Sequence, residues 1–273
     1  MTAATLAPTG VSAPSTGNVS QLRAIKSEWI KLRSLRSTFW SFLTAGAFII
    51  GLGLLFSSVE AHNMRGADFV GGFDATQVSL RGAYLAQLAI GVLGVMAVTG
   101  EYSTGMIRAT MSAVPRRLPV LWAKLAVFAA AVFVAMLVSS LIAFEIGQAA
   151  LASSHHSVTL SSPGALRAVI GSALYLSVLA MLAIGLGFLI RNTAGAIATL
   201  FGMLLVLPVL AQALPGHWAN DVMKFLPMPA GTGITTTVQD PTMLSPWAGF
   251  GVFCLYAVAA IGAGAAMLKR RDA

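Results

Sequence analysis

Hydrophobic positions gather into six runs along the chain, at 39–59, 82–99, 120–144, 166–190, 194–214 and 246–268. Each is close to the length of about 20 residues that an α-helix needs to cross a hydrocarbon core of about 30 Å. The runs are continuously apolar and do not alternate, which argues against the strands of a closed membrane barrel. Helices satisfy every backbone group internally, as a lipid environment requires. The pattern predicts an all-α integral membrane protein with six transmembrane helices occupying residues 39–273.

Ahead of the first run the pattern changes. Over residues 20–38, Leu22, Ile25, Trp29 and Leu32 recur at helical spacing, while Arg23, Lys26, Lys31, Arg33 and Arg36 fill much of the remainder. This is an amphipathic basic helix, suited to lie in a membrane interface with its cations near anionic head groups. A topology anchor fits the same residues. Residues 1–19 are rich in Ala, Thr, Ser, Pro and Gly and carry no charged side chain. They lack the basic start and apolar centre of a signal peptide and read as a disordered cytoplasmic tail.

The polar intervals carry further structure. Arg191, Asn192 and Thr193 alone separate the fourth and fifth runs, a tight turn between antiparallel helices. Ala194, Ala198 and Gly202 share one face of the fifth run, and Pro208 inside it removes a helix hydrogen bond and predicts a kink. Residues 214–245 are too polar and proline-rich to cross as a simple helix. Within them Trp218, Val222, Phe225 and Leu226 make an apolar face, so Trp218, Phe225 and Leu226 are candidates for an external gate; an ordinary loop is the alternative. Residues 101–117, between the second and third runs, are more than a turn needs and predict a short surface helix. Its apolar stripe of Met106, Ile107, Thr110, Met111 and Val114 suits a partner's groove or, alternatively, the head groups.

Composition agrees with the membrane class: 57% of the 273 residues are hydrophobic and 10% charged, against about 25% charged in a soluble domain. The net charge of +8 takes its meaning from where it lies. Thirteen Lys and Arg (23, 26, 31, 33, 36, 108, 116, 117, 124, 191, 269, 270 and 271) fall on the N-terminal side, and four (65, 81, 167 and 224) on the other. Positive loops are retained in the cytoplasm, so both termini and 101–117 are expected there. The charge then needs no nucleic acid.

Catalytic chemistry is not evident in the sequence. Cys254 is the sole cysteine, so neither an intramolecular disulfide nor a cysteine-rich metal site is expected. His155 and His156 are adjacent in a Ser-rich loop, unlike helix-borne ligands one turn apart. No GxxxxGK[ST] loop occurs, and no lysine follows a glycine. The chain is therefore expected to be no enzyme, with no cofactor of its own, and any ATP to be handled by another polypeptide. Glu145 and Gln148, near the end of the third run, suggest either a polar lining or a solvated interface.

Four segments together carry a resemblance: the basic stretch from Ser27 to Thr38, the Glu101 to Arg117 stretch, Arg191-Asn192-Thr193-Ala194-Gly195, and the terminal Leu268-Lys269-Arg270-Arg271-Asp272. Over residues 20–273 the chain resembles bacterial ATP-binding-cassette exporter permeases of the type 2 superfamily, in particular small stand-alone six-span subunits. The resemblance implies that residues 21–37 are the interface helix and 103–114 the coupling helix that docks on a separate ATPase. Glu101, Tyr102, Ser103, Thr104, Gly105, Met106, Ile107, Arg108 and Met111 would form that joint, with Glu101 and Arg108 as its polar pins. It further implies two permease subunits, as a homodimer, and two ATPase subunits carrying ATP and Mg, with drugs or antibiotics among the plausible cargoes. A non-transporting scaffold and an ion-coupled carrier are the competing readings.

Overall fold

The computed structural model describes residues 21–34, 36–64, 72–107, 118–215 and 218–270. It is all-helical, with six helices long and apolar enough to span a membrane. The N-terminal tail at 1–19, residues 108–117 of the 101–117 segment and the residues after 270 lie outside the described residues.

Helix α1 (Gln21–Ser34) precedes the first span, α2 (Arg36–Asn63). The second span is interrupted: α3 (Ala75–Leu80) and α4 (Ala83–Ser103) are separated by a turn at Arg81 and Gly82. The third and fourth spans are α5 (Leu118–Leu151) and α6 (Ala165–Ile190). The fifth comprises α7 (Thr193–Phe201), a wide π turn (Gly202–Val206) and α8 (Leu207–Gln212). Two short helices, α9 (Trp218–Met223) and α10 (Pro227–Thr232), lead to the last span, α11 (Pro246–Arg270).

All six spans coincide with the six hydrophobic runs, and the first three outlast theirs by a turn or more, because polar side chains extend a helix beyond the apolar core without breaking its backbone ladder. The fifth run keeps its predicted irregularity in a particular form. Proline has no N–H to donate, and the π turn lies immediately ahead of Pro208, which stands at the second position of α8.

The spans pack around α6, the most buried of them, which touches α4, α5 and α11. Helix α2 packs against α4 and α5 on one side of this core. Ala45, Ile49, Gly53, Ser57 and Ala61 repeat at four-residue spacing on its buried face, and small residues there let helix backbones approach closely. By contrast Ala194, Ala198 and Gly202 do not line an internal interface: both alanines are exposed, and a Cβ at Gly202 would meet nothing within 4 Å.

The segment between the fifth and sixth spans returns into the bundle. Pro227, Ala230, Gly231, Ile234 and Thr235 are buried against α6 and α11. Gly231 sits where a Cβ would press on Phe253 and Tyr175 at 2.8 Å, so glycine is needed for this close seating. The apolar face read from the sequence is not what enters: Trp218 and Phe225 are exposed and Leu226 is half-buried.

Candidate functional site

At the end of the bundle where α1 lies, four charged residues from three elements close into a ring. Lys31 Nζ donates to Glu28 Oε1 at 2.9 Å and to Glu101 Oε1 at 3.0 Å. Lys124 Nζ donates to Glu28 Oε2 at 2.6 Å and to Glu101 Oε1 at 3.0 Å. Carboxylates and ammoniums alternate, so the group is neutral while each charge has two opposite neighbours. Such compensation is what burial demands: Glu28 and Lys124 are each 5% exposed, and Glu101 is 8% exposed.

Each member is positioned by local structure. In α1, Ala24, Glu28, Lys31 and Leu32 occupy the face turned to the bundle, one helical turn apart. Leu22, Trp29 and Ile30 are exposed on the other side, together with Arg23, Lys26 and Arg33. The apolar stripe expected from Leu22 to Leu32 is thus split, because α1 gives its inward face to an ion pair network. Arg36 is exposed at the start of α2. Gln21 Nε2 also donates to the Pro119 carbonyl at 3.2 Å, fastening the start of α1 to the start of α5.

Electrostatics in the ring are mutual. Burial pushes the Glu28 carboxyl up, but the charge and hydrogen bond of Lys124, joined by those of Lys31, outweigh it and hold Glu28 below its ordinary value. Burial pulls Lys31 down, and its contacts with Glu28 and Glu101 outweigh that and raise it. Glu101 Oε2 is buried with no hydrogen-bond partner among the described residues.

The last turn of α4 is tied to the remaining spans as well. The Arg191 guanidinium lies 5.1 Å over the Tyr102 ring and donates to the Met267 carbonyl of α11 at 3.2 Å. Thr193 donates to Thr99 at 2.9 Å. Asn192 caps α7, its Oδ1 accepting from the Gly195 N–H at 2.8 Å, and Arg191 closes α6 in the left-handed region at φ +59°. The Arg191–Asn192–Thr193 turn therefore joins four helices: α4, α6, α7 and α11.

The predicted coupling residues divide at the end of α4. Glu101 is inside the ring and Tyr102 is against Arg191, while Ser103 and Thr104 are exposed and donate back to the Gly100 carbonyl at 3.0 and 2.9 Å. Gly105 follows at φ +71°, a conformation that suits glycine after a helix end. Met106 is 49% exposed and Ile107 buried. Arg108 and Met111 lie outside the described residues.

Sequence reasoning missed Glu28 as a site residue, assigned Lys31 to the interface helix and counted Lys124 only as a basic residue. A signal was present: Glu28 interrupts an otherwise basic helix, and Lys124 lies inside an apolar run. Away from the ring, Glu145 is exposed, whereas Gln148 is buried and donates to Ala75 O and Ser79 Oγ at 3.0 and 2.9 Å. The His156 Nδ1–H donates to the Ser154 carbonyl, 2.6 Å away, and His155 is exposed.

A six-span helical bundle with a basic helix pinned across one end belongs to the class of multi-pass membrane proteins. The chain belongs to the ABC-2 family transporter proteins: residues 24–209 match that family, a stretch that contains every member of the ring. No curated protein matches the chain. The family's domain is a transmembrane component, not a catalytic one, and it implies a partner ATPase in a transporter complex.

Proposed function

We propose that the chain is the permease subunit of an ATP-driven exporter, acting as a homodimer with two copies of a separate ATPase subunit that binds ATP and Mg. Both termini and residues 101–117 face the cytoplasm, α1 lies in the membrane interface, and the chain after Ser103 docks on the ATPase. The observation that supports this reading is the ring itself. It joins α1, the last turn of α4 and the start of α5, so a push on the chain leaving α4 reaches two spans and α1 together.

A rigid joint is what such coupling requires, since packed elements move as bodies and do not deform continuously. The exposed Leu22, Trp29 and Ile30 beside Arg23, Lys26 and Arg33 suit an interfacial α1. Drug or antibiotic cargo rests on the resemblance to type 2 exporter permeases; lipids, peptides and other hydrophobic compounds fit a largely apolar pathway equally.

Affinity purification of the tagged chain from its native membrane in mild detergent tests the proposal. The expected result is a stoichiometric ATPase partner whose association falls when residues Ser103 to Ile107 are altered. Repeated purification without any ATPase would move the assignment to a scaffold or an ion-coupled carrier.

A further inference from the structure

At the end of the bundle away from α1, three depressions meet at the break between α3 and α4. An apolar cleft of about 540 Å³ is lined by Leu52, Phe56, Arg81 and Leu85, and a more polar one of about 320 Å³ by Lys224, Thr236, Gln239 and Asp240. A narrow gap reaches inward to Tyr175. Gln77 and Tyr84 line all three. Both larger volumes fall in the range of about 300–1,000 Å³ usual for small-molecule sites.

The backbone at this point is itself unusual for a span. A broken helix at membrane depth is tolerated where it is buried or lines a cavity, and such breaks mark binding sites in membrane carriers. Here the break is held in place: a Cβ at Gly82 would lie 2.5 Å from Ile49 Cα, so α2 fits directly against the turn. Phe56 and Leu52 stand 7 and 11 residues before the end of α2 at Asn63, about 10 and 16 Å along the helix. The apolar cleft therefore reaches along α2 into the length of the span, whereas the polar one is lined mainly by the segment between the fifth and sixth spans.

Arg81 lines the apolar cleft, and Gln77 and Tyr84 join that cleft to the polar one. The Arg81 Nη1 donates to Glu60 at 3.3 Å and its guanidinium lies 5.6 Å over the Phe56 ring. Among the described residues that engages one of five N–H donors, which leaves others for the oxygens of a phosphate. Lys224, in the polar cleft, gives one of its three donors to Asp221 at 2.9 Å.

We infer that this groove binds a phospholipid-type anionic amphiphile. Its phosphate meets Arg81, an acyl chain lies along Leu52, Phe56 and Leu85, and the outer part of its head group points towards Lys224 and Gln239. The inference does not rest on the exporter reading, since occupancy is read without an ATPase.

The test uses the full chain in nanodiscs containing phosphatidylglycerol with a photoactivatable acyl chain, followed by mapping of labelled peptides. Labelling is expected to concentrate on Leu52, Phe56 and Leu85 and to be competed by unlabelled phosphatidylglycerol but not by a diacylglycerol or by inorganic phosphate. Arg81→Gln should reduce it by about tenfold or more, the loss of a charge-assisted hydrogen bond. Glu60→Gln, which breaks the same ion pair but keeps the cation, should leave labelling equal or stronger, and Leu52→Trp should block it by filling the cleft. Equal loss in Arg81→Gln and Glu60→Gln would make Arg81 a structural pair only. Even labelling at lipid-facing positions such as Leu43 and Val134 would mean bulk lipid, and competition by inorganic phosphate would mean an anion site; each overturns the inference.

Discussion

Among single residues, Lys124 carries the sharpest energetic consequence. It is the only described cation reaching both Glu28 Oε2 and Glu101 Oε1 from within a span, and all three side chains are buried. Lys124→Met removes one positive charge from a neutral ring and leaves an uncompensated buried carboxylate, a change that costs about 3–5 kcal/mol. Glu28→Gln with Lys124→Met restores neutrality and should recover a large part of that loss. Thermal unfolding in detergent checks both, and a double variant no more stable than Lys124→Met would sink the account. The same ring predicts a pH dependence. Glu28 has a lowered pKa when folded, so its contribution is fully present above the ordinary glutamate pKa of about 4.3 and is lost as pH falls below it through the folded value. Acidification from pH 5 to 3 should lower the melting temperature of the wild-type chain more than that of Glu28→Gln.

At the scale of elements, close helix contacts decide what is tolerated. The turn at Arg81 and Gly82 abuts the Phe48 carbonyl and Ile49 Cα of α2, and the opposing atoms are backbone, which cannot swing aside. Gly82→Ala should therefore cost about 1–3 kcal/mol by overpacking, whereas Gly51→Ala, which meets nothing within 4 Å, should leave the unfolding temperature unchanged or higher. Both are read by the same unfolding assay. The spans were legible in the sequence because a membrane imposes length and continuous apolarity on each helix separately. Helix α3 was not, since its six residues, Ala75–Leu80, are too few and too polar to show a period. The ring was not legible as a unit, because Glu28 and Lys124 are 96 residues apart and periodicity fixes a face but not which helix it meets. Pro208 and the Arg191–Asn192–Thr193 turn were legible because proline chemistry and capping act within a few residues.

For the molecule as a whole, the joint at Gly105 separates folding from coupling. The chain's last ties to the bundle before Gly105 are Glu101 in the ring, Tyr102 against Arg191 and the cap of α4 at Thr104, so the segment that departs at Gly105 leaves from a fixed helix end. Gly105 has φ +71°, while proline is locked near −65° and cannot follow that path. A Cβ at this position meets nothing within 4 Å, so substitutions act through backbone conformation and not through packing. Gly105→Asn, which tolerates the left-handed region, should keep the wild-type path, and Gly105→Ala should strain it by about 1–2 kcal/mol. Gly105→Pro, which also loses the Gly105 N–H bond to the Tyr102 carbonyl, should redirect the chain that follows and lower the melting temperature at least as much as Gly105→Ala, while membrane insertion is kept. Under the exporter proposal, its purified complex then loses ATPase association and substrate-stimulated hydrolysis, and Gly105→Asn retains both. Normal stimulation in the Gly105→Pro complex would show that the energy enters elsewhere, leaving the ring as an anchor for α1 alone.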